Sequence, residues 1–380
     1  MRVLVTGSEG FIGRNLRVAL RRRPGLEVVG FDLGQTPDEL DRLAAEAEFV
    51  FHLAGVNRPR DPAEYEEGNV HLTARLLDRL AAAGRKAPFV FSSSTQAALD
   101  NPYGTSKRRA EELARAYAES TGAPVRIFRF PNVFGKWSRP NYNSVVSTFC
   151  HNAAHGLALV VSDPGRTVTF VHVDEVVRCL VECLDQPLEG FAFGEVGATD
   201  TVTLGELHDL VEGFRQMRMR NEVPDLGRPF VRRLYSTFLS YLEPADRVRP
   251  TDLKRDARGW LFELIKSAPL GQVFVSSTRP GVVRGGHYHD SKVEKFCVIR
   301  GHGRIRMRRL LSDEIVEYDV SDDPICVVDI PPGWTHTIEN VGSEDMITLF
   351  WAGEVFDPNR PDTWAEQVDP PARPVGEGAG

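Results

Sequence analysis

Three glycines that directly follow an apolar segment near the N-terminus constrain the fold of this chain most. The apolar segment Val3–Val5 is followed by Gly7, Gly10 and Gly13. This spacing is typical of a tight turn between a β-strand and an α-helix, where the second glycine lets a diphosphate approach the backbone and the third lets helix and strand pack closely. The free N–H groups and the dipole of such a helix N-terminus favour anions. The sequence therefore predicts a dinucleotide-binding α/β domain.

Strand-like and helix-like segments alternate from Met1 to about Gly190, which is the pattern of a parallel sheet flanked by helices. Residues 200–240 are predicted to be mainly helical, because leucine and valine recur there at helical spacing. The predicted helices of the alternating part begin at Gly10, Val70, Ser106 and Val173. Its predicted strands are Arg2–Thr6, Glu27–Asp32, Phe49–Leu53, Pro88–Ser92 and Val125–Phe130.

The composition changes at a charged, proline-containing stretch over residues 242–258. Beyond it, short β-rich segments are separated by glycine and proline, which is typical of an antiparallel barrel or jelly roll. We therefore predict a Rossmann-type α/β domain over residues 1–244, an all-β domain over 245–366 and a disordered Pro/Gly-rich tail over 367–380. The predicted strands of the second domain are Gln272–Ser277, Lys295–Arg300, Gly303–Leu310, Ile315–Val320, Ile325–Ile330 and Met346–Trp351.

Charge and cysteine content limit the classes of partner. The 380 residues include 46 Lys and Arg against 53 Asp and Glu, a net charge of −7, which argues against nucleic acid or an anionic membrane as the main partner. The five cysteines form no CxxC pair and are expected to be reduced thiols. Because neither a signal-peptide pattern nor an apolar run of about 20 residues is found, the predicted location is cytoplasmic.

Four potential metal ligands are spread over two short segments near the C-terminus. His287 and His289 are two residues apart, so on a strand both imidazoles point to the same face. Glu294 follows shortly afterwards, and His336 completes the set from a separate stretch that is expected to form a neighbouring strand. Three imidazoles and one carboxylate suit a divalent first-row metal such as Zn, Ni, Mn or Fe(II), and zinc is the first expectation.

A serine cluster and a Tyr–Lys pair follow the fourth predicted strand. Tyr103 and Lys107 are four residues apart and share a helix face. A phenol that exchanges a proton near neutral pH needs a lowered pKa, and an adjacent ammonium lowers it by stabilising the phenolate. A nearby hydroxyl, best placed on Ser94, would orient the substrate oxygen. We predict these three residues to be the catalytic set of an oxidoreductase.

Asp32 closes the second predicted strand, about 20 residues after the glycines. A carboxylate at this position accepts hydrogen bonds from the adenosine ribose hydroxyls and repels a 2′-phosphate, so Asp32 favours NADH over NADPH. The alternative is a loop aspartate that points to solvent. A neighbouring arginine such as Arg14 would shift the preference towards NADPH.

These residues resemble the extended short-chain dehydrogenase/reductases that act on nucleotide sugars. Further segments agree with that family, namely Phe51–Gly55, Asn69-Val70, Arg129–Gly135 and Val171–Asp174. The resemblance implies that Lys107 contacts the nicotinamide ribose and that Asn132 lies near the substrate. Ser94 is unusually close to Tyr103 for this family, so either the intervening loop is trimmed or Thr95 supplies the hydroxyl. The resemblance also implies that the cofactor is lined by residues 6–13, which include Phe11 and Ile12, and by Leu53, Ala54, Gly55 and Asn69.

The four potential metal ligands lie in two motifs that resemble those of cupins, small jelly-roll barrels with a metal in the mouth. The first motif runs from Gly281 to Gly301, and the second runs from Pro331 through His336 to Asn340. Ile325 stands where the second motif usually opens with glycine. The alternative is a metal-free cupin whose histidines bind substrate.

Four further basic residues of this region are ambiguous. His302 is a lone histidine that is expected to be exposed to solvent. Arg304, Arg306 and Arg308 alternate along one predicted strand, so their side chains share a face. That face either contacts solvent or binds a diphosphate.

From Met1 to about Trp364 the chain resembles the bifunctional capsule-sugar enzymes of the CapF/WbjC/FnlB type. The resemblance implies a UDP-4-keto-6-deoxy-N-acetylhexosamine substrate on the route to UDP-N-acetyl-L-fucosamine and to capsule or O-antigen polysaccharide. The cupin domain would epimerise C3, and the reductase domain would then reduce the C4 ketone with NADPH, the cofactor generally associated with this family. The characteristic segments are Leu53–Pro59, Asp100–Gly104, Phe134–Trp137, Pro140–Val145, Leu234–Thr237 and Phe356–Pro358.

Several alternatives remain open from the sequence. The epimerase base is undetermined, with Glu263 and Lys266 as candidates. The same two modules would also suit a secondary-metabolite deoxysugar attached to dTDP, and the cupin metal could be purely structural. A sensor or scaffold without turnover is disfavoured by the intact catalytic set. A homodimer is expected by analogy, because jelly-roll cupins commonly pair through their sheets.

Overall fold

The computed structural model describes residues 1–369, which form two compact units. The first unit comprises Met1–Gly213 and Arg232–Glu243. The second unit comprises Phe214–Val231 and the chain from Pro244 onward. Among residues 1–369, no helix combines the length and the apolar character that crossing a membrane requires.

The first unit is built on a six-stranded parallel sheet, which confirms the predicted Rossmann-type α/β fold. Its strands in chain order are β1 (Arg2–Thr6), β2 (Glu27–Phe31), β3 (Phe49–His52), β4 (Phe89–Ser94), β5 (Val125–Phe130), β6 (Asn132–Phe134), β7 (Thr167–His172), β8 (Phe191–Phe193) and β9 (Thr199–Thr203). The large sheet has the order β2-β1-β3-β4-β5-β8, and β6-β7-β9 form a small second sheet. Because the strands of the large sheet are parallel, their carboxyl ends meet at one edge, where ligands of such sheets bind.

The helices cover both faces of the large sheet. Along β1 the side chains alternate: Val3 and Val5 pack with Leu16 on one face, whereas Leu4 packs with Leu40 on the other. The helices of the described residues, not all of which pack on this sheet, are α1 (Phe11–Leu20), α2 (Pro37–Glu46), α3 (Ala63–Tyr65), α4 (Leu72–Ala83), α5 (Pro102–Thr121), α6 (Val145–Ala154), α7 (Val173–Asp185), α8 (Leu204–Met219) and α9 (Pro229–Leu239). A π-helix spans Glu66–His71, and 3₁₀ turns span Thr95–Ala98 and Pro244–Arg247.

The second unit contains two antiparallel sheets with an apolar core between them, which confirms the predicted jelly-roll class. The sheet orders are β10-β11-β12-β19-β14-β17 and β16-β15-β18-β13-β20. The strands are β10 (Lys254–Asp256), β11 (Gly259–Ser267), β12 (Gly271–Thr278), β13 (Val283–Tyr288), β14 (Glu294–Arg300), β15 (His302–Arg309), β16 (Ile315–Ser321), β17 (Val327–Ile330), β18 (Trp334–Asn340), β19 (Met346–Ala352) and β20 (Trp364–Ala365).

The structure differs from the sequence prediction at several element boundaries. The helix predicted to begin at Ser106 begins at Pro102, because the side chain of Asn101 caps it by accepting a hydrogen bond from the Gly104 N–H at 2.9 Å. The predicted strand at Ile325 begins two residues later, at Val327. A disordered tail was predicted over residues 367–380. Residues 367–369 instead contact Arg306 and Arg308. Residues 370–380 lie outside the described part. The five cysteines are free thiols, of which Cys150, Cys179 and Cys183 are buried.

Candidate functional site

The glycine turn after β1 forms a close contact between the start of α1 and the carboxyl edge of the sheet. Gly7 has a φ of +67°, and a Cβ atom added there would lie 2.7 Å from the Ala54 backbone nitrogen. A Cβ at Gly13 would overlap the Gly7 carbonyl oxygen. Gly10 is the N-cap of α1 and no side chain caps the helix, so its first N–H groups are free for an anion. This arrangement, with Phe11 and Ile12 in the first turn, fits the diphosphate of a dinucleotide.

Asp32 lies directly after β2, beside the glycine turn. Its carboxylate accepts hydrogen bonds from the Glu9 N–H at 2.5 Å and from the Leu33 N–H at 2.7 Å. It therefore contacts the turn rather than pointing freely into solvent. The guanidinium of Arg14 donates to the Trp137 carbonyl oxygen at 3.0 Å, and that of Arg17 pairs with Glu9.

The end of β3 and the π-helix meet next to Lys107. Asn69 lies in the π-helix and bonds both the N–H and the carbonyl of Val56, at 2.8 and 2.9 Å. A Cβ at Gly55 would lie 2.8 Å from Asn69 Oδ1 and 3.5 Å from Lys107 Nζ. Leu53 and Ala54 join this segment to β3, and the Ala54 N–H donates to Thr6 Oγ1 at 3.3 Å. The predicted cofactor-lining residues 53–55 and 69 therefore converge with Lys107.

Tyr103 and Lys107 lie in the first turns of α5, facing the end of β4. Burial raises the pKa of Tyr103, in contrast to the lowering predicted from the sequence, and the neighbouring Ser94 side chain partly offsets this rise. Lys107 donates to the Ser92 carbonyl oxygen at 2.8 Å and lies 4.4 Å from the centre of the Phe91 ring. Burial lowers the pKa of Lys107 to about 8.

The loop between Ser94 and Tyr103 is trimmed to a single 3₁₀ turn. Ser94 caps this turn by accepting a hydrogen bond from the Gln96 N–H at 3.2 Å, whereas Thr95 is exposed. Gly104 permits the turn to pack on α5, because a Cβ there would overlap the Gln96 carbonyl oxygen. The geometry therefore favours Ser94 over Thr95 as the hydroxyl that would orient the substrate oxygen.

An ion pair between the buried Glu111 and the half-buried Arg129, next to this site, was not predicted from the sequence. Glu111 is 4% exposed and accepts hydrogen bonds from Ser93 Oγ and from Arg129 Nη2, both at 2.5 Å. It follows Lys107 by one helical turn, and its charge opposes the fall in the pKa of Lys107. The four-residue spacing of Tyr103, Lys107 and Glu111 was a signal that could have identified it. The predicted substrate residue Asn132 is exposed at the start of β6, with Nδ2 donating to the Thr169 carbonyl oxygen at 3.2 Å.

In the second unit, His287, His289, Glu294 and His336 form one cluster. One ligand atom from each lies within 4.8 Å of the others. Oε2 of Glu294 lies 3.1 Å from Nε2 of His289 and 3.5 Å from Nε2 of His336. Strand β13 supplies His287 and ends at Tyr288, so His289 lies just beyond the strand rather than on it. Glu294 opens β14 in the opposite sheet, which places the cluster between the two sheets.

The protonation pattern of this cluster fits a bound cation. Nδ1 of His289 lies 2.5 Å from the Asp362 carbonyl oxygen, and Nδ1 of His336 lies 3.2 Å from that of Trp334. A carbonyl only accepts, so each Nδ1 carries a proton, and in the neutral form of these imidazoles each Nε2 presents a lone pair. These two Nε2 atoms are buried without a hydrogen-bond partner beside the Glu294 carboxylate. A divalent cation would relieve the repulsion among these lone pairs.

The charges of the cluster also suit a cation. Burial and the neighbouring His336 and His289 lower the pKa of His287 to about 4. Burial opposes ionisation of Glu294, but the positive charge that His289 and His336 carry when protonated outweighs it and holds the pKa of Glu294 at about 2. At neutral pH the cluster thus offers a neutral His287 imidazole and an ionised Glu294 carboxylate, the forms that bind metals.

Two glycines before His287 set the geometry of this strand. Gly285 and Gly286 have φ values of +100° and +77°, and a register shift lies between Gly285 and His287 in the pairing of β13 with β18. A Cβ at Gly285 would lie 2.5 Å from the His336 carbonyl oxygen. The bulge therefore requires glycine and brings His287 opposite His336.

The arginines of β15 are already paired with acidic residues. Arg304 pairs with Asp319 at 2.9 Å. Arg306 pairs with Glu317 and Asp369, both at 2.7 Å. The buried Arg308 pairs with Glu366 at 2.8 Å. These contacts argue against a diphosphate site there; His302 is exposed, as predicted.

Glu263 and Lys266 form an ion pair on β11, with Glu263 Oε2 and Lys266 Nζ 2.9 Å apart. A register shift between Glu263 and Ile265 turns both charged side chains to one face of the sheet. Lys266 pairs with Gln272, Gln272 with Ala352, and Ala352 with Glu294. Directly opposed residues share a face, so this ion pair lies on the same face of the sheet as the Glu294 carboxylate.

Comparisons with known proteins agree with this two-unit description. Residues 3–196 match the NAD dependent epimerase/dehydratase family, and residues 254–364 match the polysaccharide biosynthesis C-terminal domain. The chain is 43% identical over 379 residues, covering 100% of both proteins, to UDP-2-acetamido-2,6-beta-L-arabino-hexul-4-ose reductase of Pseudomonas aeruginosa.

Solved structures are similar to the whole chain or to part of it. The capsular polysaccharide assembling protein CapF of Staphylococcus aureus has 42% identity and a TM-score of 0.88, with 97% of this chain and 100% of CapF covered. The UDP-glucose 4-epimerase of Thermus thermophilus in complex with NAD has 25% identity and a TM-score of 0.50, with 57% of this chain and 84% of that chain covered.

Proposed function

The chain belongs to the NAD dependent epimerase/dehydratase family and, over its full length, to the CapF-type capsule-sugar enzymes, and from this premise we propose a bifunctional nucleotide-sugar enzyme. Its second unit epimerises C3 of a UDP-4-keto-6-deoxy-N-acetylhexosamine. Its first unit then reduces the C4 ketone with a reduced nicotinamide cofactor, towards UDP-N-acetyl-L-fucosamine. The reductase assignment rests on the position of Tyr103 and the buried Lys107 in the first turns of α5, next to the end of β4 that supplies Ser94.

The reduction needs a proton donor and an oriented ketone. The nicotinamide, when bound, supplies the hydride to C4. Tyr103 gives its proton to the developing C4 alkoxide, and the Lys107 ammonium stabilises the phenolate that remains. Ser94 holds the ketone oxygen next to the phenol. Asn69 and Gly55 fix the backbone beside Lys107, so the ammonium stays in place.

Epimerisation depends on the acidity that the C4 ketone gives to the C3 proton. A divalent cation held by His287, His289, Glu294 and His336 would supply positive charge for the enolate oxygen. The Glu263–Lys266 pair, on the same sheet face as Glu294, is the candidate for moving the C3 proton. Reduction of the ketone removes the acidity of C3, so it fixes the new configuration.

Asp32 is the basis for proposing NADH as the preferred cofactor. Its carboxylate lies beside the glycine turn, where it would repel a 2′-phosphate, and the nearby Arg14 and Arg17 have other partners. We expect a higher kcat/KM with NADH than with NADPH, and we expect the Asp32→Ala variant to narrow that difference. An unaltered ratio in the variant would remove Asp32 from cofactor selection.

An apolar outer face on the six-stranded sheet of the second unit supports a homodimer. On β19 the residues Met346, Thr348 and Phe350 point into the core, so Ile347, Leu349 and Trp351 point outward, where they are half-buried. A charged substitution in this row, Leu349→Lys, is expected to halve the mass in solution, as measured by light scattering. A monomeric unaltered protein would contradict the dimer.

The proposed substrate is tested by comparing nucleotide series. Purified protein is incubated with UDP-linked and dTDP-linked 4-keto-6-deoxy sugars, and oxidation of the reduced cofactor is followed. Preferential turnover of the UDP-linked N-acetylhexosamine is expected. Preferential turnover of a dTDP-linked sugar would instead place the enzyme in secondary-metabolite deoxysugar synthesis.

A further inference from the structure

The segment Pro361–Asp369, here called the C-terminal strap, packs on the metal-ligand cluster. Its strand β20 extends the sheet beside β13, where Ala365 pairs with His287 and Trp364 pairs with Tyr288. Arg308 holds the far end of the strap by donating to the carbonyl oxygens of Val368 at 2.7 Å and Gln367 at 2.9 Å. The strap therefore lies directly against one of the four potential ligands.

Asp362 makes two kinds of contact with the part of the chain that carries the ligands. Its carboxylate accepts three successive backbone N–H groups, from Asp290 at 2.9 Å, Ser291 at 3.0 Å and Lys292 at 2.8 Å. Its own carbonyl oxygen lies 2.5 Å from Nδ1 of His289. The loop over residues 290–292 joins His289 to Glu294, so one residue of the strap fixes both the loop and a ligand.

The conformation of Asp362 is built around these contacts. Its φ of +38° is unusual for a residue other than glycine, and such a conformation persists where the surrounding contacts determine it. Lys292 secures the same place by donating to the Pro361 carbonyl oxygen at 2.8 Å and to Thr363 Oγ1 at 3.1 Å. Three N–H groups converging on a carboxylate hold the loop in a single shape.

We propose that Asp362 is a positioning residue of the metal site and that the docked strap sets the affinity of the cluster for a divalent cation. The Asp362 carbonyl keeps the proton of His289 on Nδ1, which turns the lone pair of Nε2 towards Glu294. The Asp362 carboxylate holds the loop that sets the separation of these two ligands. Partners of this kind commonly change metal affinity by about 10- to 100-fold. The inference rests on the proposed cation-binding role of the cluster.

The test measures binding of Co²⁺ to the full-length protein after chelator treatment, by titration of its visible absorption, whose intensity reports the ligand geometry. The variants are Asp362→Asn and Asp362→Ala. The matched control is Asp322→Asn, because Asp322 also accepts a loop N–H, that of Gly301 at 3.1 Å, but lies outside the strap. We expect affinity to fall about 10-fold in Asp362→Asn and further in Asp362→Ala, with an altered spectrum, whereas the control stays unchanged.

The outcomes separate this inference from the proposed function. If the unaltered protein gives no Co²⁺ spectrum, the cation-binding role itself is refuted, and the role of Asp362 with it. If the unaltered protein binds Co²⁺ and both Asp362 variants bind equally well, only the positioning role is overturned. If Asp362→Ala fails to fold, the near-isosteric Asp362→Asn decides the result, with its fold checked by circular dichroism.

Discussion

Lys107 is an ammonium buried beside the Phe91 ring, and this position sets the pH range in which Tyr103 can work. Burial lowers the pKa of Lys107 to about 8, so its charge is present below that pH and is lost above it. The rate of ketone reduction should therefore fall as the pH rises through about 8. Tyr103 does not account for this fall, because burial raises its pKa from the ordinary value of 10.0.

The pH–rate profile of Lys107→Met tests this assignment. We expect reductase turnover to fall by about 100-fold and the decline near pH 8 to disappear, since the group that titrates there is gone. A decline near pH 8 that persists in the Lys107→Met variant would assign it to another group.

Substitutions of Tyr103 and of Ser94 should lower kcat to different extents. Tyr103→Phe removes the proton donor and is expected to lower kcat by about 100-fold or more, with cofactor affinity preserved. Ser94→Ala should lower kcat less, while Thr95→Ala, the matched control on an exposed neighbour, should leave it unchanged. Cofactor binding is measured by fluorescence titration and turnover by cofactor oxidation. A larger loss in Thr95→Ala than in Ser94→Ala would reverse the assignment of the hydroxyl.

The candidate catalytic residues could be predicted from the sequence, but many of the contacts that position the functional side chains could not. Tyr103 and Lys107 follow from a four-residue spacing behind a glycine turn. The sequence did not decide whether Ser94 or Thr95 supplies the hydroxyl. That choice depends on the 3₁₀ turn that starts at Thr95 and leaves the Thr95 side chain exposed. The contacts of Asp362 could not be predicted from the sequence either, because Asp362 and His289, whose Nδ1 lies against the Asp362 carbonyl oxygen, are 73 residues apart.

Among the elements of the second unit, the glycine bulge in β13 sets the geometry of the four potential metal ligands. Gly285→Ala would bring a Cβ to 2.5 Å from the His336 carbonyl oxygen at a φ of +100°. We expect it to destabilise the protein by about 1–3 kcal/mol from backbone strain alone, and to weaken Co²⁺ binding because it displaces His336. Thermal unfolding and Co²⁺ titration measure the two effects.

Gly281 is the matched control for Gly285. It also has a positive φ, +70°, but a Cβ there meets no atom within 4 Å. Gly281→Ala should therefore cost only the left-handed backbone penalty of about 1–2 kcal/mol, with Co²⁺ affinity retained. Equal losses of Co²⁺ affinity in the two variants would show that the close approach to His336 does not matter.

Apolar strands could be predicted because their pattern of apolar residues is a local property of the sequence. The positions at which helices and strands begin depend also on capping residues, prolines and bulges. β1 and β5 match their predicted bounds. The start of α5 was placed four residues late, since its capping Asn101 and its Pro102 lie before the apolar periodicity begins. Strand β11 was missed because its charged residues, Glu263 and Lys266, obscure the alternation, and a bulge turns both to the same face.

In the proposed function of the whole molecule, the chain joins two reactions that depend on one ketone. Epimerisation needs the C4 ketone to acidify C3, and reduction destroys that ketone. The order of the two steps therefore follows from chemistry: epimerisation must come first, and reduction then fixes its product. The dependence of both reactions on the same ketone would explain why a nucleotide-sugar reductase and a cupin-like unit are joined in one chain.

The proposed order of the two reactions is tested by measuring hydrogen exchange at C3 before any reduction occurs. Metal-loaded protein without reduced cofactor is incubated in heavy water with a UDP-4-keto-6-deoxy-N-acetylhexosamine, and deuterium at C3 is followed by NMR before NADH or NADPH is added. We expect deuterium at C3 with the unaltered protein, followed by oxidation of the cofactor, and no deuterium at C3 with the His287→Ala/His336→Ala variant. Normal cofactor oxidation without exchange at C3 would contradict the epimerase role and leave the second unit with a structural one.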